Sequence, residues 1–117
     1  MEKRREIIVP KTKEAEFALD YDEATKDQLD SLFLTKKYYR DFWQSGLLDR
    51  LNALSPDSLI ADYEVANISN PLIINEILLT LKNKVGFSHS LAPELTAELI
   101  ILFELAQTRE TGVYFYL

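Results

Sequence analysis

The sequence predicts an α+β fold in which about four helices pack on a small, mainly antiparallel β-sheet that includes the N-terminal region and a C-terminal strand. Apolar residues recur every three or four positions through the middle and later parts of the chain, and short β-rich or alternating segments lie towards both ends. No Gly-, Ser- or Pro-rich stretch divides the 117 residues, and a chain of this length can bury one sizeable core. We therefore expect residues 1–117 to form a single globular domain.

Three segments are predicted to form the sheet. Residues 7–9 are a short apolar run ahead of Pro10, and residues 113–117 are an aromatic and β-branched run after Gly112. Residues 15–21 alternate apolar with mainly acidic side chains, which is the period of a half-buried strand. The sheet should therefore combine both ends of the chain with the segment that follows its first strand.

The first helices are predicted between residues 25 and 54. Gln28 follows Thr25 at the spacing of a capping box, so a short helix should begin there. Its apolar residues at helical spacing are Leu29, Leu32 and Phe33. A longer amphipathic helix should follow from residue 36, with the stripe Tyr39, Trp43, Leu47, Leu51 and Leu54. Because Gly is costly inside a helix, we expect Ser45 and Gly46 to kink or split it.

Two later helices have distinct start signals. The Asn-Pro pair at residues 70–71 is an N-cap followed by Pro at the first helical position, and the apolar run after it extends towards Gly86. Pro93 opens the last helix, and Ile100 and Ile101 broaden its apolar face so far that we expect it to be the central helix. Its core stripe is Leu95, Leu99, Leu102, Phe103 and Ala106.

Acidic residues outnumber basic ones and are unevenly distributed. The chain has 13 Lys and Arg against 19 Asp and Glu, which gives a net charge of −6 at pH 7. Residues 14–34 carry seven acidic groups and one basic group, and residues 55–81 carry four acidic groups and no basic one. A field of this sign repels nucleic acid and attracts basic protein surfaces. We expect no direct binding of nucleic acid.

Composition excludes most catalytic and cofactor sites. The chain has no cysteine, and His89 is its single histidine, so thiolate centres and paired-histidine metal sites cannot form. The three glycines lie too far apart for a phosphate-binding loop. We find no secretory leader pattern and no membrane-spanning stretch of ~20 apolar residues. The sequence therefore predicts a cytoplasmic protein that is not an enzyme and needs no cofactor.

One enzymatic alternative stays open at this point. Five carboxylates can in principle assemble into a cluster that serves a metal-dependent hydrolase. They are Asp20, Asp22, Asp57, Asp62 and Glu64. With 19 acidic residues in a short chain, chance grouping explains them better.

Residues 59–68 fit two local structures. Ala61, Tyr63 and Val65 alternate with acidic residues, which suits a strand. Asp57 or Ser58 as an N-cap would instead suit a short helix.

The segment 41–68 reads DFWQSGLLDRLNALSPDSLIADYEVANI, and it resembles the immunity proteins of bacterial contact-dependent growth inhibition systems. The shared features are an aromatic helix, a Ser-Gly break, a Leu-rich continuation and an acidic Asp-Tyr-Glu element. The Gly and aromatic strand at residues 112–117 are similar to the way such proteins end. In the similar proteins the Asp-Tyr-Glu element looks like a turn or helix end, so we favour a short helix or turn for residues 59–68.

The resemblance implies a cytoplasmic protein that binds and neutralises the C-terminal toxin domain of a cognate effector as a heterodimer, without a membrane or cofactor. Such toxins are often nucleases, which have basic substrate clefts. An acidic inhibitor can occupy such a cleft with carboxylates in place of phosphates and with aromatic anchors at the centre of the interface. The candidate partner-binding residues are Asp20, Asp22, Asp57, Asp62, Tyr63 and Glu64. A regulatory adaptor or antitoxin-like module, with a partner other than a nuclease, is the second alternative.

Overall fold

A computed structural model describes residues 5–55, 60, 65–83 and 92–117 of the chain. Over these ranges the chain forms an α+β fold around one four-stranded sheet in which every strand pair is antiparallel, and the strands follow each other across the sheet in the order Leu29–Phe33, Glu6–Pro10, Val113–Tyr116 and Val65–Ile68. The strands are β1 (Glu6–Pro10), β2 (Leu29–Phe33), β3 (Val65–Ile68) and β4 (Val113–Tyr116). The predicted α+β class is therefore confirmed, and both terminal strands lie side by side at the centre of the sheet.

Five helices accompany the sheet in the described ranges, one more than the approximate number predicted. They are α1 (Lys13–Asp20), α2 (Lys36–Gln44), α3 (Leu47–Leu54), α4 (Pro71–Asn83) and α5 (Pro93–Arg109). None of the helices in this part of the chain is long and apolar enough to cross a membrane.

The predicted break between α2 and α3 is confirmed as a split. Gly46 has a φ of +81°, a left-handed conformation that glycine adopts without steric cost. The buried Ser45 hydroxyl donates to the Phe42 carbonyl at 3.1 Å and accepts from the Leu47 N–H at 3.2 Å. The Ser-Gly pair therefore ends one helix and begins the next.

The predicted starts of α4 and α5 are also confirmed. The Asn70 side chain accepts a hydrogen bond from the Leu72 N–H at 2.9 Å, and Pro93 occupies the first turn of α5. The core stripe predicted for α5 is buried along its whole length. Ile101, however, is 55% exposed, so the broadening of the stripe does not bury the full middle of the helix. Gly86, the predicted end of α4, lies outside the described residues.

The strand predicted at residues 15–21 is wrong, because this segment is helix α1. The Thr12 hydroxyl accepts from the Ala15 N–H at 3.0 Å and caps the helix. Ala15 and Leu19 are four residues apart and both are buried, whereas Phe17 and Tyr21 are exposed. Apolar residues that alternate over so short a segment also contain pairs four positions apart, which lie on one face of a helix. The helix buries the Ala15 and Leu19 pair and leaves the other pair exposed.

The helix predicted after Thr25 is also wrong. The capping box of Thr25 and Gln28 is present, but it opens only a short 3₁₀ turn, Lys26–Gln28, and strand β2 follows at once. In β2, Leu32 pairs with Ile7 and enters the core, while Phe33 points to the opposite face. Pairing with β1 thus overrides the local helical spacing.

The helix or turn favoured for residues 59–68 is wrong for residues 65–68, which the structure describes. Val65–Ile68 is strand β3, which pairs with β4 from Val65 opposite Tyr116 to Ile68 opposite Val113. The strand gains its hydrogen bonds from the distant C-terminal strand, a partner that local sequence does not reveal. Residues 56–59 and 61–64 lie outside the described residues.

The core lies between one face of the sheet and helices α2 to α5. Ile7 of β1 and Phe115 of β4 contribute to it from the sheet, and Phe103 of α5 packs at a ring distance of 6.4 Å from Phe115. A smaller cluster lies on the opposite face, where Leu19 of α1 packs with Ile8 and Tyr114. We call this opposite side the outer face; it is formed by Glu6, Ile8, Ser31, Phe33, Val65, Asn67, Tyr114 and Tyr116.

Candidate functional site

The outer face carries two rows of side chains that run across all four strands. The end row places Phe33 opposite Glu6, Glu6 opposite Tyr116, and Tyr116 opposite Val65. The next row on the same face consists of Ser31, Ile8, Tyr114 and Asn67. Among the described elements α1 covers the centre of this second row, through Leu19. The end row extends beyond the helix, which leaves Phe33 46% and Val65 61% exposed.

Carboxylates of α1 hold the tyrosine at the centre of the outer face. The Tyr114 hydroxyl lies 3.3 Å from Glu16 Oε2 and 3.3 Å from Asp20 Oδ1, so its one proton serves either carboxylate. Burial raises the pKa of Tyr114, and the negative charges of Glu16 and Asp20 raise it further. Asp20, a predicted partner-binding residue, thus contacts the sheet through Tyr114.

The negative charges of a second set of carboxylates act on Tyr116. Burial raises the pKa of its hydroxyl first, and the negative charges of Asp22, Asp20 and Glu6 then raise it further. Asp22 has a φ of +56°, a left-handed conformation that Asp tolerates better than most residues. Its N–H donates to the Leu19 carbonyl at 3.0 Å and closes the turn after α1.

A cleft of about 440 Å³ opens on the outer face beside the end row. Its lining consists of Glu6, Ile8, Ala24, Lys26, Leu29, Asp30, Ser31 and Phe33. Asp30 is engaged by Arg109, whose Nη1 lies 2.6 Å from Asp30 Oδ2. Within the described part of the chain, the Glu6 carboxylate has no hydrogen bond or ion pair. Glu6 is therefore the carboxylate of this cleft that a ligand can reach without displacing a partner.

The structure brings together part of the predicted site. The negative charges of Asp20 and Asp22 both act on Tyr116, and Asp20 also contacts the Tyr114 hydroxyl. The other four predicted residues, Asp57, Asp62, Tyr63 and Glu64, lie outside the described residues.

Sequence reasoning missed Glu6, Phe33 and Tyr116. The alternation of Tyr114 and Tyr116 with Val113 and Phe115 was a usable signal, because alternate residues of a strand face opposite sides of a sheet. No local signal marks the pairing that places Glu6 between Phe33 and Tyr116.

Two further observations bear on the function of the outer face. In the described ranges, no group of three or more His, Cys, Asp or Glu side chains is arranged to hold a metal ion. Comparison of the chain with protein-family models, with curated proteins and with solved structures finds no match. The functional interpretation therefore depends on the chemistry of the outer face, which offers carboxylates beside aromatic rings.

Proposed function

We propose that this chain is an immunity protein that binds and neutralises a basic toxin domain in the cytoplasm. The observation that carries the proposal is the row on a partly uncovered sheet face in which Glu6 lies between Phe33 and Tyr116, with the negative charges of Asp20 and Asp22 also acting on Tyr116. Aromatic anchors beside charged groups are typical of energetically important protein interfaces. The partner is the C-terminal toxin domain of a cognate effector, bound as a heterodimer.

The charge of the chain supports a basic partner. A net charge of −6 on 117 residues creates a field that accelerates association with a positively charged surface. Salt screens such a field over about 8–10 Å at moderate ionic strength. Affinity that falls as salt rises is therefore an expected property of the complex.

Neutralisation follows from the chemistry of the surface that such a toxin offers. A nuclease binds its substrate through Lys and Arg that neutralise phosphates. Carboxylates placed against these groups compete with the phosphates, and the exposed ring of Phe33 and the half-buried ring of Tyr116 supply apolar contact area. Inhibition thus needs binding alone and no catalytic step by this chain.

Co-expression tests the proposal. The C-terminal domain encoded by the reading frame immediately upstream is expressed in a bacterial host, with and without this chain. We expect the domain alone to arrest growth, and this chain to restore growth and to co-purify with it. Binding should weaken between low and high salt. Growth arrest that this chain does not relieve, or the absence of any complex, would overturn the proposal.

Charge reversal tests which acidic surface is used. Asp22→Lys is expected to weaken the complex by about tenfold or more, because it places repulsion where attraction is proposed. Asp22→Asn should weaken it less but in the same direction, because it removes the charge and keeps a residue that tolerates the left-handed conformation. Glu76→Lys is the matched control: it makes the same charge change at an exposed position of α4, on the other side of the sheet. A double reversal, Asp62→Lys with Glu64→Lys, tests the residues that only the sequence suggested.

A further inference from the structure

We infer that the end row of the outer face, with Glu6 between Phe33 and Tyr116, is a docking surface for an arginine-bearing segment of the partner protein. The inference rests on the proposed function for the identity of the partner and adds the surface and the side chain that it recognises. The arginine would bind the Glu6 carboxylate and lie against the two rings.

The register of the sheet is the first support. Glu6 pairs directly with Phe33 on one side and with Tyr116 on the other. Directly opposite residues of an antiparallel pair have Cβ atoms about 4.5–5.5 Å apart. A carboxylate thus stands between two aromatic side chains in one row, and a planar cation that binds the carboxylate comes into contact with ring surface.

The cleft is the second support. Its volume of about 440 Å³ is within the range of about 300–1,000 Å³ that small ligands occupy, so it can accept one long side chain. Its lining combines Glu6 with Lys26 and with the apolar groups of Ile8, Leu29 and Phe33. Tyr116 flanks Glu6 from the neighbouring strand and is not part of the lining. An arginine side chain suits this lining, because its methylene stem is apolar while its end is charged.

Charge selects a cation and disfavours a second copy of the chain. The negative charges of Asp22, Asp20 and Glu6 all act on the Tyr116 hydroxyl, and they outnumber the basic group of Lys26 in the lining of the cleft. A symmetric dimer through this face would place the same carboxylates against each other. A basic segment of another protein instead neutralises them.

The aromatic neighbours favour arginine over lysine. The guanidinium group is planar, forms two parallel hydrogen bonds with a carboxylate and stacks on aromatic rings. The lysine ammonium is a strongly hydrated point charge and does not match this planar arrangement. The chain already has one such contact on another surface, where the Arg5 guanidinium lies 3.9 Å from the centre of the Tyr39 ring.

A peptide titration tests the inference without the toxin. The full, isotope-labelled chain is titrated with capped nona-arginine and nona-lysine peptides of equal charge, and backbone amide shifts are followed by NMR. We expect nona-arginine to shift the amides of Glu6, Phe33 and Tyr116 first and to bind several-fold more tightly than nona-lysine. Glu6→Gln should weaken arginine binding by about tenfold, the value of one charge-assisted hydrogen bond.

Two matched variants control the titration. Glu76→Gln removes the same charge from exposed α4 and should leave peptide binding within about twofold of the wild type. Phe33→Leu keeps an apolar side chain but removes one ring, and it should reduce the preference for arginine over lysine. Both positions are exposed, so the spectra of these variants should retain the dispersion of the folded chain.

Any one of four results would overturn the inference: equal binding of the two peptides, amide shifts concentrated on α4 and α5, undiminished binding by Glu6→Gln, or no binding at all. The proposed function fails separately. If peptide binding follows the expected pattern but no toxin is neutralised, the docking surface stands and the immunity role does not. If Glu6→Gln and Phe33→Leu still protect against the toxin as fully as the wild type does, the role stands and this docking surface does not.

Discussion

Glu16 of α1 accepts a hydrogen bond from the backbone N–H of Gly112 at 2.7 Å, which links the helix to the residue just before β4. The same carboxylate oxygen lies 3.3 Å from the Tyr114 hydroxyl. A helix of eight residues is marginal by itself in water, so tertiary contacts decide whether it forms. These two hydrogen bonds and the packing of Leu19 against Ile8 and Tyr114 hold α1 on the outer face.

Removal of the Glu16 carboxylate should loosen α1. Glu16→Ala is expected to lower the free energy of unfolding by about 1.5–3 kcal/mol, because it deletes a charge-assisted bond and leaves the Gly112 N–H without its partner. Glu16→Gln keeps an acceptor oxygen and should cost less. Urea unfolding and amide exchange in α1 measure the effect. Glu14→Ala is the control in the same helix; Glu14 is exposed, and an equal loss there would contradict the role of the hydrogen bond.

The space around Gly112 should not admit a methyl group. A Cβ built there would lie 3.1 Å from Glu16 Oε2 and 3.2 Å from the Ile68 carbonyl oxygen, and it would also collide with Ser69 Oγ. We expect Gly112→Ala to destabilise the fold by about 1–3 kcal/mol, as overpacking does. Thermal and urea unfolding check it. In a Ser69→Ala background the penalty should shrink but not vanish, since the Ile68 carbonyl cannot move away alone; an unchanged penalty would exclude the Ser69 contact as a cause.

Stability should fall in alkaline solution through Tyr114. Because burial raises its pKa above the ordinary value of 10, the unfolded chain releases this proton first. The contribution of the protonated Tyr114 to the free energy of unfolding is therefore complete below about pH 10. Above that pH it declines by about 1.4 kcal/mol per pH unit. Tyr114→Phe should cost about 1 kcal/mol near neutrality, from the lost hydrogen bond. The gap between the wild type and this variant should close above pH 10 in urea unfolding.

The core variant Ile7→Val serves as the control for the pH series. Ile7 is fully buried and has no titratable group, so this change should lower stability by about 0.5–1.5 kcal/mol at every pH. A gap between the wild type and Tyr114→Phe that stays as constant as the Ile7→Val gap would contradict the raised tyrosine pKa.

The effect of Gly46→Ala on stability distinguishes a continuous helix from two helices that are separated at Gly46. In a continuous helix Gly→Ala would stabilise by roughly 0.5–1 kcal/mol. Gly46 instead has a φ of +81°, and among the described residues none beyond its chain neighbours lies within 4 Å of a Cβ position, so the cost of Ala is one of backbone conformation, about 1–2 kcal/mol. Gly46→Asn should cost less, because Asn tolerates this conformation better than Ala. Urea unfolding of both variants gives the sign, and stabilisation by Ala would mean that α2 and α3 are one helix.

The candidate site was only partly predictable from the sequence, because part of it depends on strand pairing. Composition and charge indicated an acidic surface, and Asp20 and Asp22 were identified from it. The part of the surface that adds aromatic rings depends on register: Glu6, Phe33 and Tyr116 are distant in sequence and become neighbours only when three strands pair. The single-sequence pattern contains the alternation of each strand but not the partner of each strand.

The sequence by itself determined the elements whose hydrogen bonds are satisfied locally or whose composition is strongly biased. Helices α4 and α5 begin at their proline signals, α2 and α3 separate at the Ser-Gly pair, and the aromatic C-terminal strand forms where expected. A helix closes its backbone bonds within four residues, so caps and breakers act in place.

Only the tertiary structure decided α1, β2 and β3. The apolar residues of α1 fit both a strand and a helix until Ala15 and Leu19 are buried together against the sheet. Leu32 fits a helix until it pairs with Ile7, and Ala66 is placed in a strand by Phe115. A strand obtains its hydrogen bonds from residues far along the chain, so where composition is not strongly biased towards a strand, as in β2 and β3, the assembled sheet decides its formation.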